Sequence, residues 1–135
     1  MKIDGGCHCG FIRFEAEADP AQTLICHCTD CQKLTGTAFR ISLRVPGETF
    51  KRLSGEPSTY IKTADSGTRR AHSFCPRCGT PVWAVAADDA VPKYYSLRPG
   101  TLRQREQFAP KRQSWTRSRL RWLADIVSIP GSETQ

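Results

Sequence analysis

Seven cysteines in three tight groups constrain this chain more than any other feature: Cys7-x-Cys9, Cys26-x-Cys28-x-x-Cys31 and Cys75-x-x-Cys78. An odd number leaves one thiol over in any all-disulfide scheme. The N-terminus, Met1-Lys2-Ile3-Asp4-Gly5-Gly6, carries neither the apolar stretch nor the cleavage site of a secretory signal, so a reducing, cytoplasmic setting is expected. Thiolates at this spacing suit a soft tetrahedral cation, zinc first, although four thiolates also accept an iron–sulfur cluster.

Two tetrahedral zinc ions need eight ligands and the chain offers seven cysteines. Cys26, Cys28 and Cys31 are near enough in sequence for one bend to aim all three at a point. Cys7/Cys9 and Cys75/Cys78 are each too short to bind alone, and together they would clip the N-terminal strand to a later hairpin, stabilising the fold partly by restricting the unfolded chain. The expectation is a closed four-cysteine structural site and a three-cysteine site with one open position. An open position is the mark of a catalytic ion. A site with three ligands also holds its ion less tightly, so partial occupancy is expected there. Two alternatives stay open: a histidine in the eighth place, with His72 the nearest in sequence, or a water completing a second structural clip. His8 and His27, each flanked by ligating cysteines, are expected to point away from the metal. Gly79, directly after Cys78, is placed to turn the backbone with positive φ.

The rest of the chain reads as mainly β. Ile12–Ala18 and Phe39–Val45 alternate strictly between apolar and polar residues. Further strands are expected at Thr49–Leu53, Ser58–Thr63, Arg69–Phe74, Pro81–Ala86 and Tyr94–Leu97, separated by turn signals such as Pro46-Gly47 and Ser66-Gly67. Val82–Ala86 is apolar on both faces and should lie mid-core. One short helical turn is expected at Cys31–Thr35, capped by Thr29 or Asp30 and stopped by Gly36. Its dipole would favour a thiolate at Cys31. A second helix at Ser114–Ile126 would place Trp115, Arg119, Trp122 and Ile126 on one face. No apolar run approaches the roughly 18 residues of a membrane span. The expected organisation is one zinc-binding domain over residues 1–125 and a C-terminal tail over 126–135.

The motifs resemble those of the glutathione-dependent formaldehyde-activating enzymes, a family grouped with centromere protein V. Gly6-Cys7-His8-Cys9-Gly10 with Ile12-Arg13-Phe14 is similar to the family's opening and first strand. The run from Cys26 through Cys31 to Phe39 is similar to its central motif, and Phe74-Cys75-Pro76-Arg77-Cys78-Gly79-Thr80-Pro81 to its knuckle. Pro99-Gly100-Thr101-Leu102 and Trp122-Leu123 fit more loosely. The resemblance implies two folded-over antiparallel sheets of the β-tent type and two zinc ions. It implies structural zinc on Cys7, Cys9, Cys75 and Cys78, and catalytic zinc on Cys26, Cys28 and Cys31. It also implies formation or cleavage of the carbon–sulfur bond of S-hydroxymethylglutathione.

The leading expectation is therefore a zinc-dependent carbon–sulfur lyase acting on a thiol–aldehyde adduct, with glutathione as the thiol and formaldehyde as the aldehyde. Arginines such as Arg40 and Arg77 could meet the carboxylates of glutathione, although each reads more readily as a solvated surface side chain, and neither is expected as a site residue. The alternative is a non-catalytic zinc module that binds a partner or nucleic acid through its basic stretch. The formal charge is +7, and Arg103, Arg105, Lys111, Arg112, Arg117, Arg119 and Arg121 face a single acid, Glu106, in that stretch. Those residues fall on no regular helix face, so nucleic acid is not the expected partner.

Overall fold

The computed structural model of the protein describes residues 1–135. The alternating run around Phe14 forms β2 (Arg13–Glu17), which pairs antiparallel with β1 (Lys2–Gly6) on one side and β5 (Lys51–Ser54) on the other. A second sheet of seven strands runs in the order β10-β3-β4-β9-β8-β7-β6. Its members are β3 (Thr23–Cys26), β4 (Arg40–Pro46), β6 (Ser58–Thr63), β7 (Arg69–Phe74), β8 (Pro81–Ala86), β9 (Tyr94–Leu97) and β10 (Arg112–Ser114). Every pairing is antiparallel except β10 with β3, which is parallel. The wholly antiparallel expectation is corrected there. The long excursion between Cys26 and Arg112 lets the chain return in the same direction, which a short hairpin cannot do.

Register decides which side chains meet. Leu43 lies opposite Leu97, and Leu97 opposite Trp83, so odd-numbered residues of β4, β9 and β8 share one face. That face carries Leu43, Val45, Trp83, Val85, Tyr95 and Leu97, all within the core or packed against it, together with Ile3, Phe14 and Ala16 of the smaller sheet. Phe50 stacks on Tyr95 at 3.8 Å between ring centres, and Phe14 meets Trp83 edge-on at 5.6 Å. Fully burying such a side chain stabilises the fold by roughly 1.5–3 kcal/mol. Even-numbered residues point to the other face, where Arg40, Ser42, Arg44, Arg70, His72, Ala84 and Ser96 gather. The expected mid-core stretch is the fifth strand of seven, with Val82, Trp83 and Ala84 buried.

The helix α1 spans Thr29–Thr35, and its cap is Cys28 rather than Thr29 or Asp30: Cys28 is extended, and its Sγ accepts from the Cys31 backbone N–H. Thr29 and Asp30 thereby become the first helical residues. Gly36 ends the helix in the left-handed conformation at φ 69°, as its position suggests. The expected helix at Ser114–Ile126 does not form. Trp115 adopts φ 56°, Arg119 and Leu120 are extended, and only 3-10 turns occur at Thr116–Ser118 and Arg121–Ser128. The apolar periodicity finds no core to pack on: Trp115, Trp122 and Ile126 are all about half exposed. Helical propensity alone rarely sustains so short a segment. No helix is long and apolar enough to cross a membrane.

Candidate metal centres and the adjoining cavity

Cys7 and Cys9 occupy the turn after β1, and Cys75 and Cys78 the turn after β7. Both turns are built alike. Cys7 N–H donates to Ile12 O and Gly10 N–H to Cys7 O, while Cys75 N–H donates to Thr80 O and Gly79 N–H to Cys75 O. Gly79 takes φ 77°, the left-handed turn required beneath the second sulfur. The four Sγ atoms lie within 4.8 Å of one another. Cys7 Sγ to Cys9 Sγ is 3.6 Å and Cys9 Sγ to Cys75 Sγ 3.7 Å. A tetrahedral ion with metal–sulfur bonds of about 2.3 Å requires sulfur–sulfur edges of about 3.8 Å. The donor set therefore fits such an ion.

Backbone N–H groups support the sulfurs, Ile12 to Cys7 at 3.2 Å and Arg77 to Cys75 at 3.4 Å. The Thr80 hydroxyl, 3.1 Å from Cys78 Sγ, and the Thr80 backbone N–H pull the Cys78 thiol down to about 5. Cys7 and Cys75 are buried, Cys9 and Cys78 exposed.

The second group sits at the end of β3 and the start of α1. The sulfurs of Cys26, Cys28 and Cys31 again lie within 4.8 Å of one another, and no further Cys, His or carboxylate joins them. The expected thiolate-stabilising position at the helix start belongs to Cys28, whose sulfur takes the Cys31 N–H. Without a metal, burial and then the neighbouring Cys28 thiol push Cys31 up to about 12, while Arg40 pulls against them. Three cations lie near the group: Arg40 is the register partner of Cys26, Lys62 is held at 2.9 Å by Asp30, and Arg98 is close enough to Cys31 to feel its charge.

His72 takes no place in either group. Its Nδ1 accepts from Arg40 Nη1 at 3.2 Å and Arg98 Nη2 at 3.3 Å, so its lone pair is already engaged. Burial, then Arg40 and Arg98, lower it to about 4 and keep it neutral. His27 Nε2 bonds Gln113 Oε1 at 2.6 Å and its ring packs on Phe39, while His8 is exposed. Arg77 is not at the three-cysteine group; it lies over the Phe11 ring at 3.9 Å, beside the other knuckle.

Next to the three-cysteine group lies a cavity of about 220 Å³, lined among others by Leu34, Arg40, Tyr60, His72, Phe74 and Arg98. Gly79 and Pro81 of the four-cysteine hairpin form part of its wall. Arg40 and Arg98 are 6% and 9% exposed, and the Nε of each is buried without a hydrogen-bond partner. Burial, then Arg40, lowers Arg98 to about 9. Arg98 escapes a reading of the sequence because its place follows from the pairing of β4 with β9. Alternation from Tyr94 and Ser96 does put Arg98 on their face, but only the register sets it opposite Ser42, to whose Oγ its Nη1 donates at 3.0 Å.

Taken together, two sheets joined through paired cysteine knuckles, with a second cluster of three thiols linked through Arg40 and the helix α1 to a basic cavity, define a mainly β protein with two candidate metal centres. Residues 2–118 match the family model described as "Glutathione-dependent formaldehyde-activating enzyme", and the chain belongs to that family. A Halomonas elongata protein, named provisionally as an enzyme of that kind, is 28% identical over 87 residues, covering 62% of this chain and 55% of its own length. The chain thus spans about half of that curated relative. A crystal structure of a Rhodobacter sphaeroides protein superposes with a TM-score of 0.61 at 20% identity, over 82% of this chain and 99% of that one, and shares the fold.

Proposed function

We propose that the protein is a zinc-dependent carbon–sulfur lyase that makes and breaks the bond between a thiol and an aldehyde, with S-hydroxymethylglutathione as the adduct. The observation that carries this reading is the three-sulfur cluster, short of a fourth protein ligand, whose Cys26 pairs with Arg40 of a cavity also lined by Arg98. Zinc bound there would supply a Lewis acid with one open position, able to favour a thiolate or polarise an aldehyde oxygen. Zinc on Cys7, Cys9, Cys75 and Cys78 would serve the fold.

The chain's own groups do the rest. Arg40, Arg98 and Lys62 give the site a positive field that favours anionic sulfur as the carbon–sulfur bond of the adduct breaks. In that direction the hydroxyl proton of the adduct leaves, formaldehyde is released and the thiol takes up a proton. In the other direction the same atoms recombine. Neutral His72 holds the two guanidiniums in place through Nδ1.

A basic binding module finds less support. Arg103 is tied to Asp4 at 3.0 Å, Arg117 lies over Trp115, and Arg112 lines a cavity apart from the one that Arg103 and Arg105 share. Exchange NMR of formaldehyde and glutathione at equilibrium tests the activity. Faster interconversion at micromolar zinc-loaded protein is the expected result, and its absence with both sites filled refutes the reading.

A further inference from the structure

The cavity beside the three-cysteine group contains a feature that sulfur chemistry does not require. Two guanidinium groups, Arg40 and Arg98, are more than nine-tenths buried, share one neutral histidine, and form no ion pair with any acid of the protein. Buried charge without a counter-charge is expensive. Three thiolates with a divalent ion would carry a net charge of −1 and offset one guanidinium, leaving the other for a ligand. Each arginine also keeps an unpartnered buried Nε. Planar, forked donors of this kind match a carboxylate.

No acidic side chain lines the cavity. A carboxylate with an ammonium on the adjacent carbon would therefore bring a cation to two guanidiniums with no carboxylate of the protein to offset its charge. At about 220 Å³ the space is also smaller than the roughly 300–1,000 Å³ that encloses a drug-sized ligand, so it takes one end of a peptide-sized substrate. The apolar wall of Leu34, Phe74 and Pro81 suits a short carbon stem.

We infer that Arg40 and Arg98 form a subsite for a carboxylate lacking a neighbouring ammonium, and that in glutathione it takes the glycyl end rather than the γ-glutamyl end. The inference rests on the three-cysteine group being the reactive centre. Arg40 and Arg98 touch the substrate, and His72 is a positioning residue.

Binding of S-methylglutathione tests the subsite separately from catalysis, because its thioether cannot enter the site as a thiolate. Calorimetry on the zinc-loaded protein would compare it with its glycyl ethyl ester and with a form acetylated on the γ-glutamyl amine. The ester should bind at least about tenfold more weakly, since a charge-assisted bidentate contact is lost. Acetylation should change the affinity less than about threefold. Arg98→Lys should weaken the acid and leave the ester unchanged, a pattern that a misfolded variant would not give. Equal binding of acid and ester, stronger dependence on the γ-glutamyl end, or no binding at millimolar ligand would overturn the inference. If the ester binds weakly but no formaldehyde exchange occurs, the lyase reading fails and the subsite stands. If exchange proceeds equally with glutathione and its glycyl ester, the lyase stands and the subsite fails.

Discussion

Removing the metal from one cluster at a time should show that the two ions serve different ends. The four-cysteine group joins Cys9 to Cys75 across 66 positions of chain, whereas the three-cysteine group joins residues only 26 to 31. The entropy of closing a flexible loop grows as (3/2)RT ln n, so the longer clip restricts the unfolded chain by about 2 kcal/mol more than the shorter one. Four bonds against three add in the same direction, which makes that figure a floor. The double variant Cys26→Ser/Cys31→Ser retains only the long clip, and Cys7→Ser/Cys75→Ser only the short cluster. Each protein would be melted under reducing conditions with zinc and again after chelation, so that every variant is its own reference. The chelation loss should be larger in the long-clip protein by about 2 kcal/mol, or roughly 6–10 °C in Tm for a chain of this length. Equal losses, or a larger loss from the short cluster, would refute the reasoning and make the second ion as structural as the first.

Three further perturbations address other parts of the argument. His72 is lowered from 6.5 to about 4 in the fold, so between those values the unfolded chain binds the extra proton and stability falls as pH drops; His72→Asn, whose oxygen can replace Nδ1 as acceptor, should flatten that slope in denaturant melts taken across the window. Gly36→Ala meets no atom within 4 Å but forces a Cβ into φ 69°, and should cost about 1 kcal/mol in urea unfolding, with zinc stoichiometry unchanged. Phe14→Ala empties a fully buried position between Phe50 and Trp83 and should cost about 3–5 kcal/mol by the same assay.

The two cysteine clusters were the most legible part of the chain, because ligand spacing is local: two knuckles and one bend are visible within a few residues each. The turn at Gly79 and the helix stop at Gly36 were legible for the same reason. β1 and β3 carry too little alternation to stand out, and β10 is three exposed polar residues whose only structural cause is the free edge of β3. The cap of α1 was misread because cysteine is not a usual capping residue, yet its sulfur serves once the helix begins at Thr29. The basic cavity was the least legible. Arg40, His72 and Arg98 stand on three different strands or strand ends, and nothing in the chain between them records the pairing that brings them together.

The division of the seven-stranded sheet into two faces bears on how such a protein can change over generations. Odd positions of β4, β8 and β9, with Val82 at the β8 bulge, hold the packed core, where a change of volume is felt throughout the fold. Even positions of neighbouring strands, including Arg40, Tyr60, Lys62 and His72, surround the thiol cluster and its cavity without entering that core. Away from the bulge that puts even-numbered Val82 into the core, the pleat alternates, so a single codon change in these strands alters either the scaffold or the recognition surface, and seldom both. Descendants of one ancestor can thus exchange the residues that choose a substrate while keeping both cysteine clusters and the core intact, and relatives that share this fold can diverge in what they bind faster than in how they fold.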